Sequence, residues 1–143
     1  MQGLRLYKSE KLCSHNAVNA LFESGKGSIA YPLRAVYRFR PAGDEQRQAA
    51  AQFLITVPKK KMRHAVGRVL LRRRIREAYR LNRRTLLHPV LTATGVDIAF
   101  IYLSNDPAPY DVIETKMKTL LERIARDAQD YKTNNQQPDE KDS

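Results

Sequence analysis

The stretch Arg68-Val-Leu-Leu-Arg-Arg-Arg-Ile-Arg-Glu-Ala-Tyr-Arg-Leu-Asn-Arg-Arg84 decides the reading of this chain. With Arg68 set to zero on a helical wheel, Leu71, Ile75, Ala78, Asn82 and Leu86 fall within an arc of about 280° to 360°, with Tyr79 on its edge. Arg72, Arg73, Arg76, Arg80, Arg83 and Arg84 fall between about 40° and 160° on the same wheel. The spacing predicts one helix with an apolar face for a sheet and a separate cationic face. Arg74 projects elsewhere.

The charge is as localised as the pattern. From Lys59 to Arg84 there are twelve Lys or Arg residues and one acid, Glu77, a net of +11. The other residues carry 14 basic and 14 acidic side chains, so the net charge of +11 for all 143 residues comes from this segment. A charge run on a helix is usually a solvated face, but such faces mix signs and gain from Glu to Lys pairs. This one has a single acid. Arginine outnumbers lysine within it, which suits forked contacts to phosphate oxygens. The segment is therefore read as a surface for a polyanion. Helices that read the DNA major groove usually belong to a helix-turn-helix. This helix follows a strand instead, so RNA of complex shape is favoured and no DNA partner is expected.

Working outward, Gln52 to Val57 reads as a buried strand closed by Pro58. Leu33, Ala35, Tyr37 and Phe39 alternate with Arg34, Val36, Arg38 and Arg40, a strand with one wetter face. A further short strand near Ile29 to Tyr31 is an option, and Pro41 to Glu45 is turn chemistry. Ala17, Val18, Leu21 and Phe22 predict a first helix from Ser9 or Ser14 to Ser24, stopped by Gly25-Lys-Gly-Ser28. That glycine pair lacks the other parts of a phosphate-binding loop. Beyond the basic segment, Val96 to Leu103 is the best strand. Asp111, with Glu114 three residues on, is read as a helix cap. Ile113, Met117, Leu120, Leu121, Ile124 and Ala128 then form the apolar stripe of a helix from Val112 to Tyr131. Lys132 to Ser143 has no hydrophobic side chain and is read as a disordered tail. The order of elements predicts a single α+β domain over residues 1–131, with a small mixed sheet.

Few other chemistries fit. The lone Cys13 excludes an internal disulfide and is read as a reduced, partly buried thiol in a cytoplasmic protein. No apolar run of ~20 residues exists to cross a membrane, and no signal-peptide pattern is visible. His15, His64 and His88 have no metal-ligand spacing. Asp97 is read as a solvated residue at a strand start. A protein-only nuclease would need clustered carboxylates for metal, and none is evident.

Thr56-Val-Pro-Lys-Lys60, Ala65-Val-Gly-Arg68, Arg72-Arg73, Ile75-Arg-Glu77 and Tyr79-Arg80 together resemble the signature of the bacterial ribonuclease P protein subunit. The match runs without a gap from Ala65 to Arg80, and the order of elements agrees from about Leu6 to Ala128. The family usually has Asn after the first Arg of the motif, where this chain has Val69. The first-helix position that often holds an aromatic is Val18.

The resemblance implies a ribonucleoprotein that removes the 5′ leader of precursor tRNA. Its catalytic RNA carries the chemistry and mainly holds the Mg2+ ions. It implies a fold like the second domain of ribosomal protein S5, with a left-handed βαβ crossover. Carried over by position, Lys59, Lys60, Arg68, Arg72, Arg73 and Arg76 are expected to contact RNA, joined by Lys61, Arg63 and Arg80 of the same basic run. Val18, Phe22, Val36 and Tyr37 are candidates for a leader-binding cleft between the first helix and the sheet. For Phe22 and Tyr37, ordinary core packing is an equal alternative. A structural ribosomal protein or RNA chaperone would share the charge and size.

Overall fold

A computed structural model describes residue 6 and residues 10–40, 51–91 and 95–136, the last five by backbone alone. Three helices and four strands follow in the order α1 (His15–Ser24), β1 (Lys26–Ala30), β2 (Leu33–Arg40), β3 (Ala51–Thr56), α2 (Ala65–Leu86), β4 (Gly95–Tyr102) and α3 (Tyr110–Gln136). A 3-10 turn, His88–Val90, lies between α2 and β4. The expected α+β class and element order hold. The expected turn at Pro41 to Glu45 lies outside the described residues.

The sheet order is β1-β2-β4-β3. β1 pairs antiparallel with β2, and β2 with β4. β3 runs parallel to β4, with Phe53 opposite Ile98. Parallel neighbours need a long crossover, and α2 supplies it. Alternation along β2 divides the side chains between two layers. Leu33, Ala35 and Tyr37 join α2 and α3 in the main core, together with Ile98 and Phe100 of β4. Val36 points the other way, to a smaller cluster with Leu12, Ala17, Leu21 and Ala99 under α1.

Each helix forms for a legible reason. Ser14 caps α1, its Oγ accepting from the Ala17 N–H at 3.3 Å. Gly25 ends it because the chain is crowded there: a Cβ would lie 2.3 Å from the Leu21 carbonyl and 2.8 Å from Val36. In α2, Leu71, Ile75, Ala78 and Tyr79 are buried as the wheel requires. In α3 the stripe from Ile113 to Ala128 is buried throughout.

Four expectations are corrected. α3 begins at Tyr110, so Asp111 sits within its first turn and is not the cap. Glu114 instead accepts from Asn82 and Tyr110, joining α3 to α2 and to its own first turn. α3 also continues to Gln136, five residues beyond the expected end, and the rest of the expected tail lies outside the described residues. Arg83, placed on the cationic arc by the wheel, is fully buried. Its guanidinium meets Glu10 in a forked pair at 2.7 and 3.1 Å. Asp97 is buried as well, accepting from Arg40 Nε at 3.0 Å. Gly95 makes room for that arginine, since a Cβ there would come within 2.6–2.7 Å of the guanidinium.

Removing one partner of a buried ion pair strands the other charge in a medium that solvates it poorly. Asp97→Ala is therefore expected to lower unfolding free energy by ~3–5 kcal/mol, read as a shift in the urea midpoint. A change no larger than ~0.5 kcal/mol, typical of an ordinary surface site, would return Asp97 to the solvated role.

Candidate nucleic-acid interface

The outward face of α2 is built by exclusion. The helix buries Leu71, Ile75, Ala78, Tyr79 and Arg83, which leaves most of the remaining arc to the other arginines. Arg73 and Arg76 are exposed and Arg72 is half-buried. Among the described residues, no hydrogen bond or ion pair engages the side chains of these three.

The other candidates are more constrained. Arg80 makes a forked pair with Glu77 at 2.9 and 2.7 Å. The hydrogen bond from Arg80 holds the Glu77 carboxyl below the usual carboxylate range. Arg68 turns back on its own chain and donates to the Met62 and Arg63 carbonyls at 2.9 and 2.8 Å. The Lys61 and Met62 N–H groups both donate to the Pro58 carbonyl, so the turn that carries Lys59, Lys60, Lys61 and Arg63 is tied down at both ends. Lys59, Lys60 and Arg63 are exposed there, and Lys61 is half-buried.

A groove of about 260 Å³ runs beside this face. It is lined by Lys11, Leu12 and Cys13 ahead of α1, by Phe53, Leu54 and Ile55 of β3, and by Arg72 and Arg76 of α2. Lys11 forms a parallel bridge with Phe53, and the Leu12 N–H donates to the Phe53 carbonyl at 2.8 Å. The segment before α1 thus lies along β3 as the groove's wall. Cys13, expected to be partly buried, is exposed there. Sequence reasoning missed Lys11 and Leu54 as groove residues, because a pairing between positions 11 and 53 leaves no local pattern.

The four cleft candidates separate. Val18 is half-buried beside the cluster under α1, and Val36 is buried within it. Phe22 is half exposed, which removes the core-packing alternative for its ring. Tyr37 is on the opposite layer. It is 2% exposed, its ring lies 5.7 Å from Phe39, and its hydroxyl donates to Asp127 of α3. Burial and that bond push its phenol pKa well above the ordinary range. Burial alone would raise the Asp127 carboxyl, but the bonds from Tyr37 and Lys26 carry it below its usual value. Tyr37 is a core residue and not part of a cleft under α1.

The family model for ribonuclease P matches residues 6–125. The chain belongs to the ribonuclease P protein family. It is 41% identical over 122 residues to the ribonuclease P protein component of Porphyromonas gingivalis, covering 84% of this chain and 86% of that one. The ribonuclease P protein component of Chlorobium phaeobacteroides is 30% identical over 135 residues, with coverage of 87% and 92%. Solved ribonuclease P proteins from Staphylococcus aureus and Thermotoga maritima share the fold, with TM-scores of 0.61 and 0.59 at 17% and 24% identity. The first alignment covers 82% of this chain and 96% of the neighbour, the second 80% and 96%. Membership makes the protein a component of an endoribonuclease complex with an RNA partner, and the ribosomal-protein alternative falls away. Among the described residues, no helix is long and apolar enough to cross a membrane.

Because Tyr37 is buried, Tyr37→Ala is expected to cost ~3–5 kcal/mol of stability, as aromatic truncations in cores do. Below its melting point, the variant should keep the native ratio of affinities for precursor and mature tRNA. A selective loss for the precursor, with the melting temperature unchanged, would put Tyr37 back in a leader cleft.

Proposed function

We propose that this protein docks on the catalytic RNA of ribonuclease P through the outward face of α2. The groove between the segment before α1, β3 and α2 holds the 5′ leader of precursor tRNA, and the complex carries out 5′ maturation in the cytoplasm. One observation carries the reading: Arg72 and Arg76 belong to the cationic face, line the groove, and have no partner among the described residues. Unpaired guanidiniums at a groove edge are what phosphate recognition requires. Leu54 lines the groove and, with Val18 of α1, packs against the apolar cluster under that helix. Phe22 on the same helix offers an exposed ring, and stacking on a ring tolerates many base sequences.

The chemistry in this proposal belongs to the RNA, which also holds the Mg2+. Among the described residues, no group of three or more His, Cys, Asp or Glu side chains is placed to hold a metal. The protein's part is positioning and charge neutralisation. Its arginines screen phosphates that Mg2+ would otherwise screen, so less of the ion is needed.

Replacing both Arg72 and Arg76 with Ala is expected to weaken binding to the catalytic RNA. For every phosphate that the variant no longer neutralises, the log–log salt dependence should flatten by ~0.7 to 0.9. The native protein should lower the magnesium needed for RNA-driven cleavage, and protein alone should leave precursor tRNA intact. An unchanged salt slope in the double variant would falsify the docking role of these arginines. Cleavage by repurified protein without RNA would overturn the division of labour.

A further inference from the structure

Three aliphatic side chains stand uncovered at the start of α2. Val66, Val69 and Leu70 are 82%, 46% and 40% exposed. Their spacing places them on one face of the helix, and Arg73 continues the row one turn further on. Exposed Lys59, Lys60 and Arg63 precede them in the turn before the helix. The corner is held firmly. Arg68 bonds two carbonyls of the incoming turn, and Met62 packs so closely on Gly67 that a Cβ there would lie 2.9 Å from its Cγ. The start of the helix has neither an acid in its first turn nor a side-chain cap at His64.

Single exposed aliphatics need no explanation, but a cluster set inside a cationic surface does. Aliphatic groups cannot bond phosphate, so they do not serve the same purpose as the arginines around them. The apolar part of RNA is the face of a base. Within a paired helix those faces are stacked and hidden, whereas an unpaired base can be splayed out and laid on a side chain. We propose that Val66, Val69 and Leu70 form a platform for the face of an unpaired nucleobase in the RNA bound by the arginine face. The proposal rests on the RNA-docking reading and adds the kind of RNA feature engaged.

Size and charge favour this occupant. Three side chains fall far short of the ~800 Å² per partner that a stable protein interface buries. A second copy of the chain would also bring its own cations against Arg73, at a cost in like-charge repulsion.

The test uses the full chain and the ribonuclease P RNA of the same organism, titrated across a salt series. The double variant Val66→Thr/Val69→Thr removes apolar surface at exposed positions with little change of shape, adds no amide at position 69, and should not alter melting. Its affinity is expected to fall by about tenfold, equivalent to ~1.4 kcal/mol, at every salt concentration. The log–log slope should stay at the native value, because the same phosphates are still neutralised. Val69→Phe, with a larger flat face, should bind at least as tightly as the native protein. Native affinity in the double variant overturns the platform, as does a weakening that appears only as a change in slope. So does weaker binding by Val69→Phe. A self-association abolished by the double variant, with RNA affinity intact, assigns the patch to a second copy and overturns the proposal too. The Arg72/Arg76 variant, run alongside, separates the two readings. If its slope falls while the valine variant binds normally, only the platform fails. If its slope is native, the docking reading itself fails.

Discussion

The apolar side of α2 must be buried, and the rest of the molecule is arranged around that requirement. Tyr79 packs against both Phe53 of β3 and Phe100 of β4, with ring centroids 4.5 and 5.5 Å apart. Leu71 and Ile75 are fully buried in the same layer. Side chains of this size contribute ~1.5–3 kcal/mol each when taken out of water. Turning the helix by a single residue would carry arginines toward the sheet and leucines into solvent. The direction of the cationic face is thus a consequence of packing. Since α2 also joins the parallel strands β3 and β4, its position over the sheet is set by the connection it makes.

Two buried ion pairs complete the frame. Arg40 of β2 reaches diagonally to Asp97 of β4, and Arg83 and Glu10 join α2 to the segment before α1. A buried pair is weak evidence for stability, since desolvation offsets much of the attraction. Its stronger effect here is on geometry. The Glu10 anchor fixes where Lys11 and Leu12 meet β3, and those residues form one wall of the groove. An arginine of the cationic helix is therefore spent inside the protein, where it positions the surface that the others form.

The difference between Arg83 and its neighbours marks how far the sequence could be read. Helical and strand periods are local, so the stripe of α2, the alternation of β2 and the stripe of α3 were all visible in it. Arg83 sits on the polar arc by angle alone, and only a carboxylate 73 positions away explains its burial. Asp97 looked solvated for the same reason, its partner Arg40 being 57 positions distant. For Tyr37 the sequence left cleft and core as equal alternatives, and burial selects the core. Adjacent strand residues face opposite layers, so Val36 and Tyr37 could not both line one cleft. The family resemblance grouped them, and the period-two rule separates them. The groove itself was hidden, because it depends on a bridge between Lys11 and Phe53.

Charge ties the groove to the helix face. Close arginines repel one another, and the free protein bears that cost wherever no acid offsets it. Glu77 offsets Arg80 through a forked pair, so this part of the face is already balanced. Arg72 and Arg76 have no such partner among the described residues and stand where helix face and groove meet. Under the proposed reading, a phosphate that neutralises one of them relieves repulsion on the other. Docking of the catalytic RNA and entry of a leader strand then act on the same charges. The two events are not energetically independent: each changes the field met by the other. Two polyanions brought to the same edge repel unless cations stand between them, and these two arginines, with Lys11 on the opposite wall, supply cations in that place.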